Sequence, residues 1–219
     1  MRLGRLYAWL SYPVLLTALV SIVWGMCMPA SYRGVRQLTA EEIESMRFFL
    51  AVIGYGGVSL FASVQFGRAL VRCQSSAEEM KRHVVPQIIW LAASVALIGY
   101  GLVNFDTVGV ARRYVLPVVA GLSGVWITWR NFRFVWSKHL NKNWWVSRHI
   151  ESMVLSGIAS HVAVAVVVAV RLTRDGLLSP AILAIAPSVP AVVGFAALVL
   201  LHKKYVAVDA RFPVDAKPH

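Results

Sequence analysis

Apolar residues along this chain gather into six long blocks separated by short polar stretches rich in basic residues. The blocks run over about 7–28, 46–67, 84–105, 114–134, 150–170 and 180–202, each near the roughly twenty residues that carry a helix across about 30 Å of hydrocarbon. The pattern predicts six membrane-spanning helices. Arg2 and Arg5 ahead of the first block resemble the start of a signal peptide. Its apolar stretch is too long for one and no small-x-small cleavage site follows, so it is read as a retained span.

Boundary signals support this division. Thr39-Ala40-Glu41-Glu42 has the form of a capping box, which predicts that the second span begins as helix in water before entering lipid. Ser76-Ala77-Glu78-Glu79 predicts the same start for the third span. Asp175-Gly176 stops the fifth, and Ser179-Pro180 opens the sixth with a capping residue and a proline in the first turn. Pro187 and Pro190 predict a kink inside that last helix.

The 219 residues are 58% hydrophobic and 15% charged, with a mean hydropathy of +0.64. Soluble domains run about 45–50% apolar and about 25% charged, so a water-soluble domain is excluded. A net charge of +12 would suggest nucleic acid on a soluble protein. On this chain the bilayer accounts for it, because basic residues collect in loops facing anionic lipid. One side of the six-span layout holds fifteen Lys and Arg and the other holds seven. Both termini are therefore expected in the cytoplasm, and Trp9, Trp136, Trp144, Trp145 and Tyr205 suit the interfacial belts. The expected fold is an all-α integral membrane protein, six helices in one bundle over residues 1–203 with a cytoplasmic tail over 204–219. Cys27 and Cys73 make neither a disulfide framework nor a C-x-x-C site.

Ile53-Gly54-Tyr55-Gly56 in the second span recurs as Ile98-Gly99-Tyr100-Gly101 in the third. Small residues let membrane helices approach closely, so the repeat predicts a tight antiparallel contact between these two spans. A tyrosine pair at a ligand cleft is the alternative.

Candidate chemistry concentrates between Trp126 and His161. Aromatics alternate with Arg130, Arg133 and Lys138, a pattern of interfacial anchoring. With Arg68, Arg72, Lys81 and Arg82 from the neighbouring loop, the same cations could cradle lipid phosphate or haem propionates. His83, His139, His149 and His202 fall near the cytoplasmic ends of four spans, where imidazoles could assemble a metal site, although none shows ligand spacing. His161 lies about 18 Å of helix beyond His149, near the bilayer centre. An ionisable group at that depth marks a candidate site, against the simpler reading of an imidazole bonded to a serine or carbonyl. His149, Met153, Ser156 and Ser160 fall on one face of the fifth span, a polar stripe that should face protein or water. Glu151 has Arg148 or Lys142 as its natural partner.

The Trp144-Trp145 pair, His149-x-x-x-Met153, Gly157-Ile158-Ala159-Ser160-His161 and the proline- and glycine-bearing run from Ala186 to Gly194 resemble a family of small bacterial integral membrane proteins. The resemblance covers the fifth and sixth spans. It implies a bacterial inner-membrane setting, no particular reaction, and His149 and His161 as a unit.

Three functions compete. One is an accessory, structural or small binding subunit of a larger membrane complex, without catalysis of its own. Another is a redox module in which His161, His149 and Met153 hold b-type haem or a neighbouring quinone, with Arg68, Arg72, Arg130 and Arg133 on propionates or headgroups. The third is a small transporter or lipid-modifying enzyme, based on the expected kink and on Gln65, Gln87 and Asn104 in or near spans. The expected partners are the lipid bilayer and anionic lipid at its cytoplasmic face.

Overall fold

A computed structural model describes residues 2–34, 37–73, 77–104, 111–137, 144–174 and 188–211, and these are helical with no strand among them. The long helices are α1 Arg2–Cys27, α3 Ala40–Arg72, α5 Val85–Val103, α6 Ala111–Trp136, α7 Trp144–Arg174 and α8 Ser188–Arg211. Two short ones lie between, α2 Pro29–Arg33 and α4 Ala77–Met80. By length and composition α1, α3 and α5 are long and apolar enough to cross a membrane.

The helix ends follow local chemistry. Thr39 and Glu42 form the expected capping box: the Glu42 N–H donates to Thr39 Oγ1 at 3.2 Å, and the Thr39 N–H donates to the Glu42 carboxylate at 3.0 Å. Arg33 of α2 reaches the same carboxylate at 3.3 Å. Gly34 ends α2 at φ 67°, a left-handed position that favours glycine. The acidic pair Glu78 and Glu79 begins α4 rather than the third long helix. Helix α5 starts afresh at Val85 with Pro86 in its first turn, because a proline lacks the N–H that a continuous helix would need there. Pro190, one of the two prolines expected to kink the last span, lies within the described part of α8. Ser76, Asp175-Gly176, Ser179-Pro180 and Pro187 lie outside the described residues.

The chain divides into two compact units, one of residues 1–62 and 84–134, the other of 63–83 and 135–219. In the first unit successive long helices run antiparallel. Ile22 and Ala18 of α1 lie over Gly54 and Gly57 of α3, where any side chain larger than hydrogen would collide. Further along the same contact Tyr12 meets Phe61 edge-on at 5.2 Å. Helices α3 and α5 pair through Tyr55 with Trp90 and Ala62 with Gln87. Gly121 and Gly124 of α6 then admit Ile98, Ser94, Trp90 and the Tyr55 hydroxyl.

The repeated glycines therefore act differently from the sequence expectation. Gly54 receives α1, and Gly56 and Gly99 have open space beside them. The α3–α5 contact is antiparallel, but aromatic and amide side chains make it. Tyr55 and Tyr100 do not form a pair: Tyr55 bonds near the middle of α5, while Tyr100 lies near Glu44 and Arg47 at the start of α3.

The interior mixes apolar side chains such as Phe61, Phe66, Leu70 and Leu97 with polar ones, and large apolar side chains also lie outside. Buried side chains include Ser59, Gln87, Ser94, Thr128, Asn131 and Ser156, while Trp9, Leu16, Val23, Val95, Leu122 and Phe195 are exposed. Apolar exposure on this scale, with polar side chains among the buried ones, matches a hydrocarbon solvent, where association rests on packing and hydrogen bonds rather than apolar burial.

Candidate functional site

In the second unit, α7 brings the sequence-predicted histidines and the polar stripe together on one helix. His149 and Met153 are four residues apart and share a face. That face lies against Gly67 near the end of α3. The His149 Nδ1–H donates to the Gly67 carbonyl at 2.9 Å. A Cβ at Gly67 would stand 3.3 Å from Ser152 Cβ and 3.4 Å from Met153 Sδ, so the missing side chain is what admits α7. The H-x-x-x-M spacing thus has a structural role: the imidazole caps a backbone carbonyl and the thioether covers the glycine beside it. Trp145 lies a turn earlier, its ring 6.2 Å from that of His149.

The remainder of the stripe bonds within its own helix. Ser156 is fully buried and donates to the Met153 carbonyl at 2.8 Å, and Ser160 donates to the Gly157 carbonyl at 2.9 Å. His161 donates Nδ1–H to the same Gly157 carbonyl at 2.7 Å and is exposed. A carbonyl was among the partners expected for it. The partner is local, however, and the ring is not enclosed. Glu151 pairs with Arg148 at 2.8 Å, as the sequence suggests.

A carbonyl oxygen can only accept, so each imidazole carries a proton on Nδ1, and the neutral ring presents Nε2 as an acceptor. This is the orientation that metal-ligating histidines adopt when a backbone carbonyl fixes the ring. Were a haem bound, Nε2 of His149 or of His161 would be the atom to hold its iron. Helix α7 is continuous between them, a rise of about 18 Å, so one iron cannot take both from a single chain.

The proposed cations are spread over three helix ends or faces. Arg68 is half-buried and Arg72 exposed at the end of α3. Arg130 is half-buried on α6, and Arg133 is exposed with its guanidinium 5.7 Å from the centre of the Trp129 ring. Lys81 is engaged by Glu78 at 2.6 Å. His83 is exposed on the turn Lys81–His83, whereas His139 and the side chain of His202 lie outside the described residues. Among the described residues no three His, Cys, Asp or Glu side chains converge on a metal position. Cys73, just past α3, is buried, and that burial holds its thiol above the usual range.

Sequence reasoning singled out Gln87 and Tyr55 but missed Asn131 and the polar centre that these residues make in the first unit. Gln87 of α5 donates Nε2–H to the Ala62 carbonyl of α3 at 3.1 Å and accepts from Asn131 Nδ2 of α6 at 2.9 Å. A second node lies at Tyr55, whose hydroxyl donates to the Ala120 carbonyl at 3.0 Å and accepts from Trp90 Nε1–H at 3.1 Å. Each node joins three helices. The available signal was Gly121-x-x-Gly124, a small-residue step on α6 within reach of Asn131. Comparison with protein-family models, with curated proteins and with solved structures finds no match to this chain.

Proposed function

We propose that this chain is a bacterial inner-membrane protein of six spans, with both termini in the cytoplasm, acting as an accessory or small binding subunit of a larger assembly. The antiparallel pairing of α6 with α5 and the packing of α7 on α8, together with the excess of basic residues on one side, support that layout. One observation carries the functional reading. The buried and half-buried polar side chains that reach across helices, Tyr55, Trp90, Gln87, Asn131 and His149, end on another helix and hold it in place. Their polarity serves assembly rather than a reaction centre. Blue-native electrophoresis of gently solubilised native membranes tests this. The chain should migrate with a stoichiometric partner well above its own 24.2 kDa. Migration alone, together with turnover by the isolated chain, would overturn it.

A second reading has its own support in the free Nε2 of His149 and His161. It makes the protein a b-type haem or quinone module. The absorption spectrum of detergent-purified protein, air-oxidised and then dithionite-reduced, decides it. A Soret band lost in His161→Ala or His149→Ala would establish it, and a featureless spectrum from haem-replete cells would remove it.

A further inference from the structure

Helix α6 carries one exposed face with a regular spacing. Val119, Leu122, Trp126, Trp129 and Arg133 follow one another at steps of three and four residues, so they form a single stripe along the helix. All are open in the structure: Val119 is 56% exposed, Leu122 55%, Trp126 58% and Trp129 49%. The opposite face of α6 is the one engaged, through Gly121, Gly124, Thr128 and Asn131.

The stripe has a direction. Asn131 lies beside Gln87 in the first turn of α5, and Gly124 lies beside Trp90 and Ser94 near the middle of that helix. Arg133 is therefore level with the start of α5, at the edge of the hydrocarbon, while Trp126 and Leu122 lie deeper. From Arg133 to Gly124 the helix rises about 13 Å, close to the depth of one leaflet. Trp126 and Trp129 pack with ring centres 5.4 Å apart and planes tilted by 36°, and the Arg133 guanidinium lies over the Trp129 ring at 5.7 Å. That stacking steadies the guanidinium through one face and leaves its in-plane N–H groups for an anion.

We propose that this face holds an anionic phospholipid as a fixed ligand. Arg133 takes the headgroup phosphate, and one acyl chain lies along Trp129, Trp126 and Leu122. A cation at the membrane edge, followed by an apolar aromatic track one leaflet deep, complements a phospholipid in both charge and length. The inference rests on the reading of α6 as a membrane span.

The test is native mass spectrometry of the full chain exchanged into mixed phosphatidylglycerol and phosphatidylcholine. Wild type should retain phosphatidylglycerol in preference, and Arg133→Ala should lower that preference about tenfold, the weight of one charge-assisted pair. Arg133→Lys should restore part of it, and Trp129→Ala should weaken it by loosening the guanidinium. Arg47→Ala removes the same charge near the start of α3, at the other end of the bundle, and should leave the preference intact. Equal retention in wild type and Arg133→Ala overturns the site. A photoreactive group at Trp126 that captures polypeptide instead of lipid also overturns it, in favour of a protein partner or another helix of this chain. Val119→Cys, in a chain whose own cysteines are replaced, tests the span separately. Shielding from aqueous maleimide is expected, and rapid labelling would bring down the span reading itself.

Discussion

The two units handle the same difficulty in different ways. In the first, Ser11, Ser59, Ser94 and Thr128 bond to carbonyls of their own helices, but Gln87 joins α3 to α6, and Tyr55 joins α5 to α6. In the second, Ser156, Ser160 and His161 turn back onto carbonyls of α7, while His149 bonds to a carbonyl of α3. A polar group in lipid must find a partner somewhere. Where that partner lies decides whether the group fixes helix positions or simply satisfies itself. The first unit should therefore be sensitive to loss of polar groups, and α7 should tolerate it.

The largest effect expected is steric and belongs to the first unit. A Cβ at Gly121 would stand 2.7 Å from the Ser94 carbonyl oxygen, a backbone atom that cannot swing aside. Gly121→Ala should destabilise the protein by about 3 kcal/mol, the upper range for overpacking. Gly99→Ala is the matched control, since nothing lies within 4 Å of its added methyl. Unfolding in mixed micelles should show a large loss for the first and a change within about 0.5 kcal/mol for the second. Equal effects would mean that α6 does not approach α5 at this point.

The amide bridge comes next. Asn131→Ala leaves Gln87 Oε1 buried without its donor, and about 1–2 kcal/mol should be lost. A double-mutant cycle of Gln87→Ala with Asn131→Ala should return a coupling near 1 kcal/mol. Additive losses would show that the two amides do not meet. Thr39→Ala is a similar but local case. It removes the cap from α3 and should reduce stability by about 1 kcal/mol, visible as fraying of residues 40–43 in hydrogen exchange.

These cases also separate what was legible in the sequence. The six blocks, the Thr39 capping box, the Glu151–Arg148 pair and the polar stripe of α7 all depend on neighbours within one helix, and local spacing determines those. Helix α3 overruns its block because a capped helix needs no lipid: it begins at Ala40, six residues ahead. Contacts between helices were less legible. Glycine marks a close approach, yet spacing alone does not say which helix arrives, so Gly54 met α1 and the decisive glycines proved to be Gly121 and Gly124. Asn131 was hidden by its neighbours. Trp129, Arg130 and Arg133 point to a membrane edge, and the residue between them faces inward to Gln87.

The smallest effects provide the sharpest contrast, because they set two histidines of one helix against each other. His149→Ala removes the bond to Gly67 and uncovers a carbonyl at the α3–α7 contact, so about 1 kcal/mol should be lost. His161→Ala removes a bond that α7 makes to itself at an exposed position. The Gly157 carbonyl retains the Ser160 hydroxyl, so stability should change by less than about 0.5 kcal/mol. Thermal unfolding of the two variants in one detergent gives the comparison directly. If His161→Ala proved the more damaging, something outside the chain must hold its Nε2, and the search for a ligand or partner would begin at that atom.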